Sequence, residues 1–455
     1  MGTGFFLEML TRNRITVSER QAAVLWQGLA GKVVISTESE ALGVVYPGRL
    51  SGDTGPDFRD AVIASQLHLT KGDVEVHVKS SDWYSHEHHA NAAYNNVVLH
   101  VVVWHDCRSP TLLQSGGRVP VLCLAEALRC QPYLLPHRLA CFQILHRVDS
   151  RTLERLLDSA GEERLMEKAA RFQNEILRHR LTELGAGQAL FRGITRALGY
   201  AKNTRPFEDL ADRVPLDCIE STAGLIPKQA LLLGAAGLLP SQRRPRRRVR
   251  SKEVQELERT WRSAARHIKA MSENDWTFSH IYPNNSPVRR IAALSYLLER
   301  YQETKLTAGI LQLVRQAPAS NGRQALEKGL VVAAQSYWRN HLDFDARSKA
   351  EIPMVLGNSK AGEIAVNVAL PFAYSWGTAF NEPDLVTKAT ALYNSYPRLA
   401  DNGITRHMIR QLGTDELAGS TARRQQGLIH IFRNYCREGR CGECPLSRAD
   451  GSSAQ

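Results

Sequence analysis

The hydrophobic pattern of this chain changes its period near residue 145, and this change constrains the fold more than any other feature. Before it, Val-rich segments separated by "PGRLSGDTGP", "TKG" and "SGG" have the composition of strands and turns. After it, apolar residues recur three and four positions apart up to Gly427, as in helices. The pattern predicts an α+β protein with three parts: a mixed α/β head at 1–144, a mostly α-helical domain at 145–435 and a short cysteine-rich tail at 436–446.

The head is predicted to contain one long helix followed by strands. The segment "TVSERQAAVLWQGLAG" suits a helix, and Thr16 and Glu19 fit the spacing of a capping box at its start. Strands are expected at about 42–50, 59–69, 73–80, 96–105 and 118–124. A short helix is expected in "SDWYSHEHHANAAYNN", between the third and fourth strands. For the helical domain we expect roughly ten helices and no clear strand.

Composition excludes several classes of protein. The chain has 455 residues, 43% of them hydrophobic, which is enough for two or three domains with a substantial core. No run approaches the roughly 18 apolar residues of a membrane span, and the N-terminus does not resemble a signal peptide. We therefore expect a cytoplasmic protein with no membrane partner. Its eight cysteines are too few and too unevenly spread for a disulfide framework. The oligomeric state is left open.

Positive charge is concentrated in one run. The net charge is +12, and seven of the positive charges lie in "RRPRRRVRSK". Lys and Arg side chains that neutralise phosphates release counterions, so this run is a candidate binding site for the DNA backbone. Its arginines are Arg243, Arg244, Arg246, Arg247, Arg248 and Arg250. A solvated linker between helices is the alternative, and Pro240 and Pro245 favour a loop there.

The third predicted strand has one ionisable face. In "GDVEVHVKSSDWYSHEHH", residues Asp73, Glu75, His77 and Lys79 alternate with Val74, Val76 and Val78. Successive side chains of a strand point to opposite faces, so the four polar groups share one face. Burying such a set without a ligand would be costly. The segment therefore indicates a functional site.

The element order of the head resembles the core of PD-(D/E)XK nucleases, which share a restriction-endonuclease-like order of helix, three strands, short helix and strand. The resemblance implies that Asp57 and Glu75 hold Mg²⁺ or Mn²⁺ and that Lys79 or His77 positions or activates the attacking water. Glu19 would supply an additional carboxylate, although it also fits the capping box. The chain departs from the family pattern, because Glu75-x-His77 occupies the Glu-x-Lys position and Lys79 comes two residues late.

A second interpretation uses the histidines. Six of them lie within 29 residues: His77, His86, His88, His89, His100 and His105. Three imidazoles, or two with a carboxylate, suit Zn²⁺, Mn²⁺ or Fe²⁺ with an open position for water. The alternatives are a solvated turn for the loop histidines and a hydrogen-bonded core residue for His100, which interrupts the apolar strand "VVLHVVVW".

The tail has the spacing of a metal site. Cys436, Cys441 and Cys444 form a Cys-x4-Cys-x2-Cys group, and three thiolates need a fourth ligand. His430 would complete a Cys₃His zinc site. Cys141 would instead complete a Cys₄ site for a [4Fe–4S] cluster, an arrangement that resembles the iron–sulfur branch of the PD-(D/E)XK superfamily. In either case the metal would stabilise the fold.

Several quoted segments together resemble one bacterial family, the domain of unknown function (DUF) family numbered 2851. They are "YPGRLSGDTGPDFRDA", "GDVEVHVKSSDWYSHEHH", "AYNNVVLHVVV", "HRLACF", "NSPVRRIA" and "CREGRCGECPL". The sequence departs at Ser51, where Asn is expected, and at "ANAAYNN", which replaces an Asp-Pro before the Tyr. The resemblance covers nearly the whole chain but implies no activity.

Three functions therefore remain in view. The first is a metal-dependent nuclease that acts on DNA phosphodiesters through Asp57, Glu75 and Lys79 or His77. The second is a non-catalytic module that binds nucleic acid or protein, which His77 in place of lysine would favour. The third is a histidine-ligated metallohydrolase.

Overall fold

The chain forms two compact units in a computed structural model. Unit 1 comprises residues 1–156, 401–418 and 428–455, and unit 2 comprises residues 157–400 and 419–427. The described residues are 17–51, 55–65, 69–129, 148–178, 182–200, 202–243, 251–264, 268–279, 281–318, 320–344, 346–412 and 421–448. An N-terminal sheet domain is followed by a mostly helical body, so the predicted α+β class is confirmed.

Unit 1 is built on a seven-stranded mixed sheet. Its strands are β1 (Val33–Ile35), β2 (Ala41–Tyr46), β3 (Arg49–Leu50), β4 (Phe58–Ala64), β5 (Leu69–Lys79), β6 (Val97–Trp104) and β9 (Val121–Cys123). The order is β1-β2-β4-β5-β6-β9, and β3 pairs with β4. Strands β2, β4 and β5 are antiparallel, whereas β5–β6 and β6–β9 are parallel. A short hairpin of β7 (Thr111–Leu112) and β8 (Arg118–Val119) lies outside this sheet.

Unit 1 also contains α-helices, one of which lies between β5 and β6. They are α1 (Glu19–Gln27), α2 (Asp82–Ser85), α3 (Leu124–Arg129) and α16 (Gly403–Leu412). One face of β5 and β6 is apolar, and Val74, Val76 and Val101 pack there in a core with Trp26 of α1. Burying each such side chain contributes roughly 1.5–3 kcal/mol. The opposite face keeps the polar residues of β5.

The start of α1 corrects one expectation. The residue before the helix is Ser18, and its backbone N–H donates to Oε1 of Gln21 at 2.9 Å. Glu19 is the first helical residue rather than the third, so its predicted role as the capping-box partner of Thr16 is wrong. Thr16 lies outside the described residues.

Unit 2 is mostly helical. Its helices are α5 (Glu183–Leu198), α6 (Thr204–Arg213), α7 (Leu216–Ser221), α8 (Leu225–Ala235), α9 (Lys252–Ala264), α10 (Pro287–Arg300), α11 (Leu306–Gln316), α12 (Gly322–Leu330), α13 (Asn358–Ile364), α14 (Leu370–Ala379) and α15 (Pro383–Ser395). Helices α4 (Ser150–Arg178) and α17 (Ala422–Ile431) each contain a boundary between the units. A two-stranded ribbon of β10 (Val332–Ala333) and β11 (Met354–Leu356) was not expected from the sequence.

Helices α4 and α17 approach each other closely in unit 2 because glycines line the contact. A Cβ atom on Gly427 would lie 2.1 Å from the carbonyl oxygen of Leu157, which is too close for any side chain. Arg423 pairs with Asp158 beside this contact at 2.7 Å. Among the described residues, no helix is both long and apolar enough to cross a membrane.

The cysteine tail belongs to unit 1. A π-helix at Phe432–Cys436 continues α17, and a 3₁₀ turn follows at Cys441–Glu443. Lys71 of β5 pairs with Glu438 at 3.3 Å. The tail and the head sheet therefore contact each other directly.

A buried histidine of α16 makes the stability of unit 1 sensitive to pH. The ring of His407 packs edge-on against Tyr46 and Phe432, and burial, followed by the charge of Arg410, lowers its pKa to about 4. In the unfolded chain the imidazole takes up a proton below its ordinary pKa of about 6.5, whereas in the folded chain it does so only near pH 4. The free energy of unfolding is therefore lost as the pH falls from about 6.5 to about 4.

We expect His407→Gln to remove this loss. Between pH 8 and pH 5 the variant should gain about 2 kcal/mol relative to the native chain, because it lacks the titrating ring. Urea unfolding of both chains at the two pH values measures the difference. If the difference in unfolding free energy between the two chains were the same at pH 8 and pH 5, the prediction would be contradicted.

Candidate functional site

The polar face of β5 is buried. Glu75 is 6% exposed and His77 1%, and His100 of the neighbouring strand β6 is 0% exposed. Glu75 and His100 are paired in the register of the two strands, so they share this face. Asp73, at its start, is held by an ion pair with Arg59 at 3.0 Å. The polar face of β5 is therefore buried inside the protein rather than exposed to solvent.

The connection from β5 to β6 brings two more histidines to the same place. Asp82 accepts a hydrogen bond from the backbone N–H of Lys79 at 2.9 Å, and α2 starts there. Trp83 is fully buried and donates to the carbonyl of Leu112 at 2.9 Å, which anchors this helix. Glu87 then adopts a left-handed conformation with φ 57°, and a 3₁₀ turn starts at His88.

Four potential ligand atoms converge in this pocket. Nε2 of His77 lies 3.2 Å from Nδ1 of His86, 3.2 Å from Nε2 of His88 and 3.5 Å from Oε1 of Glu75. The same carboxylate oxygen lies 3.3 Å from Nε2 of His88. Among the described residues, His77, His86 and His88 form a group whose ligand atoms all lie within 4.8 Å of one another. We call Glu75, His77, His86 and His88 the histidine centre.

Aromatic rings shape one side of the histidine centre. Tyr94 stacks on the ring of His88 with centroids 3.9 Å apart, and Trp83 contacts the same imidazole edge-on at 5.4 Å. Burial, followed by the charges of Glu75 and Asp57, raises the pKa of Tyr94 to about 12. These rings hold His88 in place, whereas His86 is exposed and opens the centre to solvent.

Two of the buried imidazoles, His77 and His100, have strongly lowered pKa values and are neutral. Burial and then the neighbouring imidazoles, His100 first, lower the pKa of His77 to about 2. Burial likewise lowers the pKa of His100 to about 3. A neutral imidazole has a lone pair on one ring nitrogen, which is the form that binds a metal.

Asp57, which the sequence analysis paired with Glu75 as a ligand of a divalent ion, lies beside the histidine centre. Its backbone N–H donates to Oε2 of Glu75 at 2.9 Å, and its Oδ2 accepts from the N–H of Val76 at 3.1 Å. Burial, followed by the charge of Glu75, raises the pKa of Asp57 to about 7. Glu19 contributes to this shift from the first turn of α1, where its side chain is exposed.

Other residues predicted for the site are placed elsewhere. Lys79 is exposed at the end of β5, and the structure does not bring its side chain into the histidine centre. His105 is exposed at the end of β6, and His89 contacts Tyr84 with ring centroids 4.8 Å apart. The lysine that the nuclease interpretation needs is thus not gathered with the carboxylates.

The basic run is described only at its first residue. Arg243 is 5% exposed and pairs with Glu273 at 2.8 Å and with Asp343 at 2.7 Å. This residue is therefore part of a buried ion-pair network rather than of an exposed basic surface. Arg244, Arg246, Arg247, Arg248 and Arg250 lie outside the described residues.

The predicted cysteine site is described in part. Cys436 and Cys444 are buried and Cys441 is partly exposed. Their sulfur atoms do not form a close group of three like that of the histidines within the described part of the chain. His430 is buried, with Nδ2 of Asn434 3.3 Å from its ring nitrogens, and Cys141 lies outside the described residues. Zinc or a [4Fe–4S] cluster in the tail stays a prediction.

Two parts of the site were missed from the sequence. Thr111 contacts His100 from the β7–β8 hairpin, and Tyr94 covers His88. A signal for Tyr94 was available, because it lies between the histidine-rich loop and β6, three residues before the strand begins. Nothing in the local pattern marks Thr111.

Together the fold and the site define an α+β protein with a histidine and carboxylate centre on the polar face of its head sheet. The chain belongs to the family described as protein of unknown function DUF2851, whose profile matches residues 23–402, and this confirms the resemblance drawn from the sequence. No curated protein and no solved structure matches the chain. The resemblance to PD-(D/E)XK nucleases therefore gains no support from a known fold.

Proposed function

We propose that the histidine centre binds one divalent transition-metal ion and that the protein is a metal-dependent hydrolase. Glu75, His77, His86 and His88 would be the ligands. Imidazole nitrogens favour Zn²⁺ or Fe²⁺ over Mg²⁺, which prefers oxygen ligands. The donor set thus favours the third of the functions considered above over a Mg²⁺-dependent nuclease.

The spacing of the ligand atoms is the observation that supports this proposal. Zinc–nitrogen bonds of about 2.0–2.1 Å place neighbouring ligands of a tetrahedron about 3.3–3.4 Å apart. Four of the six separations among these atoms run from 3.2 to 3.5 Å, and the three ring nitrogens all lie within 4.8 Å of one another. One cation bound by the three ring nitrogens and the carboxylate oxygen would satisfy a lone pair of each of the four atoms at once.

The surroundings favour hydrolysis. A bound divalent ion lowers the pKa of a coordinated water, which becomes a nucleophile at neutral pH. Water would reach the centre from the side of His86, which is exposed. The backbone N–H of Asp57 donates to Glu75, and we assign the Asp57 carboxylate the role of accepting a proton from such a water. The carboxylates predicted to bind Mg²⁺ would then have different roles, with Glu75 a ligand and Asp57 a base.

Metal content tests the binding part of the proposal. We expect native protein, purified without chelator, to contain one more equivalent of zinc, iron or manganese than His77→Leu, whatever the tail binds. His105→Leu is the matched control, because it removes an exposed imidazole from the end of β6. Equal metal content in the native chain and His77→Leu would exclude the histidine centre as a metal site.

Hydrolysis is tested separately with a panel of substrates. The panel contains an activated phosphodiester, an activated carboxylic ester, and linear and branched DNA, each with the metal found above. We expect Asp57→Asn to keep the metal and to lose at least about 100-fold in rate, the usual contribution of a general base. A protein that retains its metal and hydrolyses none of these substrates would favour the non-catalytic alternative, and DNA binding without cleavage would identify the partner.

A further inference from the structure

A buried hydrogen-bond relay runs from the histidine centre into the hairpin β7–β8. Nδ1 of His77 lies 2.9 Å from Nε2 of His100, and Nδ1 of His100 lies 3.2 Å from Oγ1 of Thr111. His77, His100 and Thr111 are 1%, 0% and 3% exposed, so water does not replace these contacts.

The chemistry of imidazole gives this relay a direction once a metal binds. A neutral imidazole has one N–H donor and one lone pair. If Nε2 of His77 gives its lone pair to the metal, its Nδ1 must carry the hydrogen and donate to Nε2 of His100. The proton of His100 is then on Nδ1, where it donates to the hydroxyl of Thr111. Only one tautomer of each ring satisfies the whole chain.

The supports of the relay are fixed by packing. Trp83 lies against the ring of His100 with centroids 5.1 Å apart. The same indole donates to the carbonyl of Leu112, the residue after Thr111. The hairpin that supplies the hydroxyl is therefore tied to α2, and α2 leads directly into the turn of His86 and His88.

We infer that His100 is a positioning residue of the metal centre, which acts through His77 and is itself fixed by Thr111. This inference rests on the proposed metal site. It differs from the sequence interpretation, in which His100 was one of six candidate ligands. Ligating histidines usually donate their second nitrogen to a carboxylate or a carbonyl, and loss of that partner weakens metal affinity 10- to 100-fold. Here a second imidazole takes that role.

Zinc titration of the full-length protein tests the inference. We expect His100→Leu to bind zinc about 10 to 100 times more weakly than the native chain. His100→Gln, whose amide can both accept from His77 and donate to Thr111, should recover most of that loss, and His105→Leu should match the native chain. Native affinity in His100→Leu, with zinc still lost in His77→Leu, would overturn the positioning role and leave the metal site intact.

The tautomers of the two rings provide a second readout, which starts from the native protein. Long-range ¹H–¹⁵N spectra of histidine-labelled, zinc-loaded native protein should show Nδ1–H on both His77 and His100. Thr111→Ser should preserve this pattern, and Thr111→Val should weaken it at His100. An Nε2–H tautomer on His100 would overturn the relay. No zinc binding at the histidine centre would overturn both this inference and the proposed function.

Discussion

Zinc is expected to stabilise unit 1 of the native protein by about 4 kcal/mol at a free concentration near 1,000 times its dissociation constant. The gain arises because the folded chain presents the four ligands together, and the unfolded chain does not. His77→Leu should lose this stabilisation, since Nε2 of His77 lies within 3.5 Å of each of the other three ligand atoms. Urea unfolding with zinc and with chelator measures the effect for each chain.

The comparison with chelator removes the direct effect of the substitution. Leu fills much of the space of the imidazole but leaves Nε2 of His100 without the contact that it makes with His77. His77→Leu can therefore be less stable than the native chain before zinc is added, and only the change caused by zinc is compared. His105→Leu should keep the full change. An undiminished effect of zinc in His77→Leu would place the ion elsewhere, for example at the tail cysteines.

Much of the head could be predicted from its sequence because β5 has a strict period of two. The alternation of Val74 and Val76 with Glu75 and His77 fixes which face enters the core, and the buried valines confirm it. The same period also predicted that Lys79 would join the buried polar groups. That prediction failed because the strand ends at Lys79 and its side chain is exposed.

The histidine centre itself could be predicted only as a set of candidates. His86 and His88 lie in an irregular connection, and their positions depend on the left-handed Glu87 and on the anchoring of Trp83. Periodicity does not describe such a segment. For this reason the sequence could not separate ligands from the supporting His100 or from the exposed His105.

Arg243 shows a different limit. Its neighbours in the sequence are basic, and the run suggested an exposed grip on phosphate. Its partners Glu273 and Asp343 are 30 and 100 residues away along the chain. The composition of a short segment gives no information about partners so distant in the chain. An arginine of a buried ion pair and one of an exposed basic patch therefore look alike in the sequence.

A buried arginine of α10 is expected to be essential for the stability of unit 2. Arg289 is 0% exposed, and its guanidinium donates to the carbonyls of Trp338, His341 and Met354. Burial, followed by the charge of Arg290, lowers its pKa to about 10, so it still carries its charge at neutral pH. The side chain joins α10 to three points between Trp338 and Met354, the first residue of β11.

Replacing Arg289 by methionine should cost about 3–5 kcal/mol, because several buried carbonyls lose their donor and the aliphatic side chain offers none in return. The stability of Arg289→Lys should fall between those of the native chain and Arg289→Met, since one ammonium group cannot reproduce the planar fork of a guanidinium.

Arg300→Met is the matched control. Arg300 ends the same helix and donates to the carbonyl of Gly329 at 2.8 Å, but it is exposed. Its loss should cost less than about 1 kcal/mol. Urea unfolding monitored by circular dichroism measures all three variants, and equal costs for Arg289→Met and Arg300→Met would show that the buried carbonyls find other donors.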